Sequence, residues 1–420
     1  RALCVMLLAA SGLYGASPIL TDVTPRGAQR GRAFTLTLAG TGLEGARILS
    51  TLPATFAPLS PRGEMYAATE LAFLVELKAD APIGLYPIRV RTEEGLSNVM
   101  LFSVGAFPER MEEESAPAAS LVPAAPMAPG YSSAPAASAD AGDSSNDSAQ
   151  GAQRIEPPVT INGKLRGPDQ DFYRFHAKKG QRLVLEVEAR RAGSAIDPFL
   201  RVLDSAGKEL ARNDDAPSLG VDSRVEVTFP SDDEYLVAVH DSKFSAQAQN
   251  FYRLKIGAFT YAGGIFPMGW RRGEPLDVEL FGGNLPAPVK VSGTAIPGCA
   301  PDRQGCLSQG NFAAVSLPGS EASLPFPFVV GDRREILEPS ASGPLALEAE
   351  TVVNGRISRT REVDRYRLAV SPGDYWLVEL DNASLGTSRL YGVLTVYDAE
   401  GKKLASAGDT AIDPEQKFLV

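Results

Sequence analysis

The sequence predicts an all-β chain: tandem antiparallel β-sandwich domains joined by a disordered Ala/Pro/Ser linker. Three observations carry this. Apolar and polar residues alternate over short runs, as in Phe34-Thr35-Leu36-Thr37-Leu38, and no stretch carries a helical stripe. Glycine (40 residues) and proline (32) punctuate the junctions between those runs. The chain also repeats two segments in the order A-B-A′-B′. Such repetition builds surfaces or binding units more readily than one central active site.

In B, Asn162-Gly163-Lys164 precedes Asp171-Phe172-Tyr173-Arg174-Phe175 and then Asp204-Ser205-Ala206-Gly207-Lys208. In B′, Asn354-Gly355-Arg356, Asp364-Arg365-Tyr366-Arg367-Leu368 and Asp398-Ala399-Glu400-Gly401-Lys402 follow in the same order, at offsets of 192, 193 and 194. Thr24-Pro25-Arg26-Gly27 of A returns in A′ as Phe266-Pro267-Met268-Gly269, at an offset of 242.

Residues 1–16 place an apolar run, Ala2 to Ala10, between Arg1 and a group of small residues. This is the layout of a secretory signal whose basic start is partly missing; the other reading is a buried first strand. The run is too short to span a bilayer. The mature chain is therefore expected to be secreted, periplasmic or on the cell surface, without a transmembrane segment. A net charge of −10 with no basic stripe excludes nucleic acid as a partner.

Module A covers 17–106, with strands expected near 34–38, 71–77, 86–92 and 98–104. Residues 107–154 are rich in Ala, Pro and Ser, lack a strand-like run, and cannot bury enough apolar surface to offset their ordering entropy. They read as a disordered tether. Module B covers 155–258. Its inward sets are Leu183, Leu185 and Val187; Val225, Val227 and Phe229; Tyr235, Val237 and Val239; and Tyr252, Leu254 and Ile256. The alternating positions, Val184, Glu186 and Glu188 among them, are expected to face outward, and the scattered Lys and Arg read as solvated faces. Module A′ covers 259–332 and holds Cys299 and Cys306. In an exported chain these form a disulfide across a short loop, worth roughly 2–3 kcal/mol, and two cysteines without a second pair make a poor zinc site. Module B′ covers 345–420 and stops two strands short of the pattern of B, so the natural chain is expected to continue past Val420.

Module B resembles the bacterial pre-peptidase C-terminal family. The pieces are Asn162-Gly163-Lys164-Leu165, Asp169-Gln170-Asp171-Phe172-Tyr173, Gly180-Gln181-Arg182-Leu183, Asp197-Pro198-Phe199-Leu200 and Glu234-Tyr235-Leu236-Val237. B′ repeats the front of this set. The A modules are similar to immunoglobulin-like IPT/TIG domains through Pro25-Arg26-Gly27, the run 34–43 and the segment 84–98. The resemblance implies a jelly-roll-like, non-catalytic accessory domain of exported bacterial peptidases and other secreted proteins. In collagenases, it implies binding of the protein substrate and of calcium. There, a segment preceding the domain joins the carboxylates of the D-x-D-x-Y strand around the ion, which takes six or more oxygens. Carried to this chain, the metal set is Glu156, Asp169 and Asp171, with Pro158 and Val159 standing where oxygen-bearing side chains occur. B′ has Glu362 and Asp364 around Val363. Calcium is the one cofactor this raises.

Catalytic motifs are absent from the sequence. His240-Asp241-Ser242 holds triad residue types, but neighbours on a strand point to opposite faces and cannot form a relay. His176 reads as a surface residue. The acidic group Asn213, Asp214, Asp215 and Asp222 reads as an Asx-rich loop or, alternatively, a metal site. Trp270, flanked by Arg271 and Arg272, is the candidate ligand site, stacking on a sugar or a peptide; its other reading is a cover for the edge of the A′ core. Tyr375 and Trp376 read as packing residues of B′. The expected function is a secreted, modular, non-catalytic binding, adhesion or substrate-targeting protein of the bacterial exterior, with an extracellular polysaccharide or protein as partner. The alternatives are the accessory region of a secreted peptidase whose catalytic domain lies outside this sequence, and a structural spacer.

Overall fold

The computed structural model describes residues 16–59, 69–113, 146–244, 250–294, 312–320, 322–339, 343–381, 388, 390, 392–407 and 416–419. The chain is all-β, in two compact units, Arg1–Val104 and Gly105–Val420. Residues 1–15 of the expected signal, residues 114–145 of the expected tether, and Cys299 with Cys306 lie outside the described residues.

The first unit is built from β1 (Ile19–Thr24), β2 (Gly27–Gln29), β3 (Ala33–Thr41), β4 (Arg47–Ser50), β5 (Ala54–Pro58), β6 (Glu70–Leu77), β7 (Gly84–Arg91) and β8 (Met100–Gly105). Two four-stranded sheets result, ordered β1-β3-β6-β5 and β2-β8-β7-β4. Leu36 and Leu38 of β3, Val75 of β6, Ile88 and Val90 of β7 and Phe102 of β8 are fully buried between them. The period-2 alternation thus selects the core face, and burying such side chains contributes about 1.5–3 kcal/mol each.

Module B contains β9 (Glu109–Met111), β10 (Gln153–Arg154), β11 (Val159–Lys164), β12 (Gln170–Ala177), β13 (Arg182–Glu188), β14 (Pro198–Asp204), β15 (Glu209–Asn213), β16 (Arg224–Thr228), β17 (Asp233–Asp241) and β18 (Phe251–Gly257). They form two five-stranded sheets, β10-β12-β17-β14-β15 and β16-β13-β18-β11-β9. The four inward sets named from sequence all lie in one buried core, with Tyr173, Phe175, Leu200 and Val202.

Two expectations need correction here. The tether does not reach from 107 to 154. Its first described residues form β9, parallel to β11, and its last form β10, parallel to β12. Composition concealed both strands because each is only two or three residues long. Nor is the outer face of β13 solvated. Glu186 and Glu188 are buried with Arg253 in an ion-pair ladder that the part-buried Arg224 joins. Glu186 meets Arg224 at 2.6 Å, Arg191 at 3.1 Å and Lys255 at 3.2 Å. Glu188 meets Arg253 at 2.6 Å. Burial alone would raise the Glu186 carboxyl, but Arg224, Lys255 and Arg191 together hold it well below the usual carboxylate range.

The ladder is covered from the A′ side. The Arg224 guanidinium lies 4.0 Å from the Tyr261 ring centroid, the Lys255 ammonium 4.6 Å from that of Phe259. Lys255 also donates to the Ala322 carbonyl at 2.7 Å.

A′ contributes β19 (Gly264–Phe266), β20 (Gly269–Arg271), β21 (Pro275–Phe281), β22 (Val289–Thr294), β23 (Phe312–Val315) and β24 (Phe326–Gly331), in sheets β19-β21-β22 and β20-β24-β23. B′ contributes β25 (Arg334–Leu337), β26 (Leu345–Leu347), β27 (Thr351–Asn354), β28 (Tyr366–Leu368), β29 (Leu377–Leu380), β30 (Leu394–Tyr397), β31 (Lys403–Ala407) and β32 (Gln416–Leu419). These make four two-stranded ribbons: β25 with β27, β26 with β28, β29 with β32 and β30 with β31. They match the flanks of the two B sheets; among the described residues, β17 and β18 have no counterpart. Tyr375, expected to pack on a core strand, is 83% exposed and lies in the turn-side segment ahead of β29 rather than in a strand.

Removing the central carboxylate of the ladder leaves three buried cations without their shared partner. Glu186→Ala is expected to destabilise unit Gly105–Val420 by about 3–5 kcal/mol, read as a lower urea midpoint at unchanged slope. A midpoint equal to that of the native chain would refute the ladder's role.

A carboxylate cluster at the start of strand β12 as candidate functional site

Strand β12 alternates Asp171, Tyr173 and Phe175 inward with Gln170, Phe172 and Arg174 outward. Three neighbouring segments close on its first residues. One oxygen each of Asp147, Asp169 and Asp171 lies within 4.8 Å of the others. Glu112, directly after β9, joins them. Its Oε1 accepts from Asn146 Nδ2 at 2.9 Å and from the Tyr173 hydroxyl at 3.3 Å, and its Oε2 accepts from the Lys164 amide at 2.9 Å. Asn146 is held by its own backbone, whose carbonyl accepts from the Phe172 amide at 2.9 Å.

Below the carboxylates two buried tyrosines fix Asp171. The Tyr252 hydroxyl donates to Asp171 Oδ2 at 2.5 Å, and the Tyr173 and Tyr252 hydroxyls share a hydrogen bond. Tyr252 reaches this point because residue 163 is glycine: a Cβ there would lie 2.4 Å from its ring.

The electrostatics are those of crowded acids. Burial, then the charge of Asp147, pushes the Asp169 carboxyl up to about 7. Burial, then Glu112 and Asp169, holds Asp171 well above the usual range. Two buried oxygens in the cluster, Asn146 Oδ1 and Asp169 Oδ1, have no hydrogen-bond partner, and Asn146 is only 1% exposed. An uncompensated buried oxygen is costly unless something binds it. Four carboxylates and an amide oxygen, with neither imidazole nor thiolate, form a donor set suited to a hard cation such as calcium. Glu112, Asn146, Asp147, Asp169 and Asp171 would hold it.

The structure thus brings together Asp169 and Asp171 from the sequence-derived set but not Glu156. Because β10 runs parallel to β12 with Gln153 beside Tyr173, the chain has passed the cluster before reaching Glu156, which is exposed. The residues that replace it, Glu112 and Asn146-Asp147, lie at the two ends of the Ala/Pro/Ser tract. Two signals point to them in hindsight: Glu109-Arg110-Met111-Glu112 recurs as Glu335-Ile336-Leu337-Glu338, and the tract ends in Asn146-Asp147 rather than Ala and Pro.

The other candidates resolve into structural roles. Trp270 packs against the A′ core, while Arg271 pairs with Glu274 at 3.2 Å and Arg272 with Asp332 at 2.8 Å. β20 pairs Trp270 with the buried Val330, so the part-buried ring lies against the A′ core while Arg271 is exposed. Asp222 is fully buried and accepts from the Ala189, Arg190 and Arg191 amides at 3.2, 2.7 and 3.3 Å. It caps the 3-10 turn Arg190–Ala192. His240 is stacked between Phe199 and Phe244, at centroid distances of 5.0 and 4.6 Å. The His176 imidazole is half-exposed beside Asp232, at 2.8 Å.

Residues 169–241 match the bacterial pre-peptidase C-terminal domain. Over 80 residues the chain is 42% identical to a probable subtilase-type serine protease of Deinococcus radiodurans, covering 19% of this chain and 10% of that protein. The chain therefore spans about a tenth of the length of the curated relative it matches. The chain is similar to the pre-peptidase C-terminal domain of a collagenase from Bacillus anthracis, at 18% identity and a TM-score of 0.21, covering 25% of this chain and 93% of that one. It is also similar to PliG of Aeromonas hydrophila, a periplasmic inhibitor of g-type lysozyme, at 19% identity and a TM-score of 0.20, covering 24% and 91%. No helix among the described residues is long and apolar enough to cross a membrane.

The raised Asp169 carboxyl makes a signed prediction. The folded chain holds this proton more tightly than the unfolded chain. The resulting stability is present below the ordinary carboxylate range, about pH 4, and is lost as pH rises to about 7. With chelator present, Asp169→Asn is expected to melt higher than the native chain at pH 7, the gap closing towards pH 4. Coincident melting profiles would contradict the crowding.

Proposed function

We propose that this chain is a non-catalytic accessory region of an exported bacterial protein, in which module B is organised by a bound calcium ion. The observation that carries the reading is the convergence of Glu112, Asp147, Asp169 and Asp171 around the unpartnered Asn146 oxygen. The ion supplies charge neutralisation. The chain's own groups do the positioning: Tyr173 and Tyr252 orient Glu112 and Asp171 from below, and Arg166 steadies Asp169 through its amide at 3.2 Å. Neutralised, the cluster ties the segments before β10 and after β9 to the start of β12 and sets the pose in which the modules are presented.

The accessory role is that of targeting or spacing a catalytic partner. The 42% identity over 80 residues to a subtilase-type serine protease favours an exported peptidase as the parent protein. In this reading the modules engage an extracellular polysaccharide or protein outside the cell, and B′ is a second domain of the same kind as B. Support for that second copy comes from shared details. Asp204 Oδ1 accepts from the Ala206 and Lys208 amides, and Asp398 Oδ1 from those of Glu400 and Lys402, at 2.7–3.1 Å throughout.

Calcium at about 10 mM, above the range of the weakest protein sites, is expected to raise the melting temperature of the chelator-treated chain. Asp171→Asn should abolish the rise and Glu156→Gln should preserve it. A native chain whose melting ignores calcium would remove the cation from the proposal. Binding is read separately, on arrays of glycans and matrix proteins probed with the calcium-loaded chain; silence on both favours a spacer over a binding role.

A further inference from the structure

The outer edge of β11 holds a guest strand, and the equivalent edge of β27 holds another of the same pattern. In B the guest is Glu109-Arg110-Met111-Glu112. Glu109 accepts from Asn162 Nδ2 at 2.7 Å and pairs with Arg253, and the Glu112 amide donates to the Asn162 carbonyl at 2.9 Å. In B′ it is Glu335-Ile336-Leu337-Glu338. Glu335 accepts from Asn354 Nδ2 at 2.8 Å, the Glu338 amide donates to the Asn354 carbonyl at 2.9 Å, and Glu338 meets the Tyr366 hydroxyl at 3.1 Å as Glu112 meets Tyr173. Both guests run parallel to their host strand.

We infer that this edge is a recognition groove for an extended E-x-x-E segment, and that residues 107–113 sit in it as a detachable strand, so that a chain cut between 114 and 145 remains one molecule. Among the described residues, the guest's own contacts are made by residues 107–113. The Thr160 amide donates to the Pro108 carbonyl at 2.8 Å. Phe107 fills the space above Gly257, where a Cβ would lie 2.6 Å from its ring, and meets Phe259 edge-on at 5.9 Å. Gln153 clasps the far end, accepting from the Glu113 amide at 3.1 Å and donating to the Met111 carbonyl at 3.3 Å.

Specificity comes from burial. Arg253 is 4% exposed and lies between Glu188 and Glu109; an uncharged guest would leave half of that arrangement unpaired, which is costly. The two modules differ in how the guest is joined to the next strand. Residues 338–344 connect it in B′, residues 112–152 in B. The longer connection acts only through the effective concentration it imposes, which falls slowly with length, so after a cut the edge contacts alone must retain the strand. Glu112 also belongs to the cation set proposed above, whereas Glu109, Asn162 and Arg253 do not; the groove is therefore tested through Glu109 with chelator present, so that its failure and that of the cation reading are told apart.

The test uses the full chain with a site-specific protease sequence inserted after Pro129. After cutting, both pieces are expected to co-elute on size exclusion in native buffer. With chelator present, a synthetic peptide of residues 106–113 should release the upstream piece, and the same peptide carrying Glu109→Gln should need at least about tenfold more, the equivalent of 1.4 kcal/mol. Three results would each overturn the inference: separation without competitor, no release at saturating peptide, or equal potency of the two peptides.

Discussion

Buried charge on the second face of a sheet constrains everything around module B. A sandwich sheet ordinarily leaves one face to water, but the sheet containing β13 and β18 is covered on both. Glu186, Glu188, Arg224, Arg253 and Lys255 therefore cannot be solvated, and each must find a counter-charge in the protein. Glu109 supplies one and so draws β9 into the sheet. Tyr261, Phe259 and the Ala322 carbonyl cap the cations from A′. The junction between B and A′ is thus an electrostatic match.

What the sequence showed, and what it hid, follows from the range of each signal. Period-2 alternation is local, and it marked four of the core sets of B and the β3 face of the first unit, but not those of β11, β12 and β14. It cannot say whether the opposite face is wet, so Glu186 and Glu188 passed for solvated residues. The cluster at β12 was half legible. Asp169 and Asp171 stand in a recognisable D-x-D-x-Y strand, whereas Glu112 and Asp147 are brought there by parallel pairings of two- and three-residue strands, too short to leave a pattern. At Trp270 the local signal left two readings, and the phase of β20 sets the part-buried ring against the A′ core with Arg271 exposed.

The two B-type modules differ where the chain inserts sequence. B and B′ share the guest strand, the asparagine that reads it, the tyrosine beneath and the aspartate-based turn between β14 and β15 or β30 and β31. In B′, Glu362 accepts from the amide of Arg359 at 2.8 Å and so caps its own turn, much as Asp169 does through Arg166. The Asn146-Asp147 pair belongs to the longer connection of B alone. The longer connection of B thus brings Asn146 and Asp147 to the cluster while the strand pairings common to B and B′ are kept, in keeping with the tolerance of surface loops to added length.

The order of strands within the B sheets bears on how the molecule is made. β17 and β18 are the last two strands of the module to be synthesised, yet each occupies the interior of its sheet, β17 between β12 and β14 and β18 between β13 and β11. Neither sheet can assemble as the ribosome delivers it; the earlier strands must wait, edges open, until about residue 257 emerges. Such non-local pairing raises contact order and slows folding to the millisecond-to-second range. A module whose two central strands are delivered last, one to each sheet, can close neither layer of its sandwich before its whole length is available.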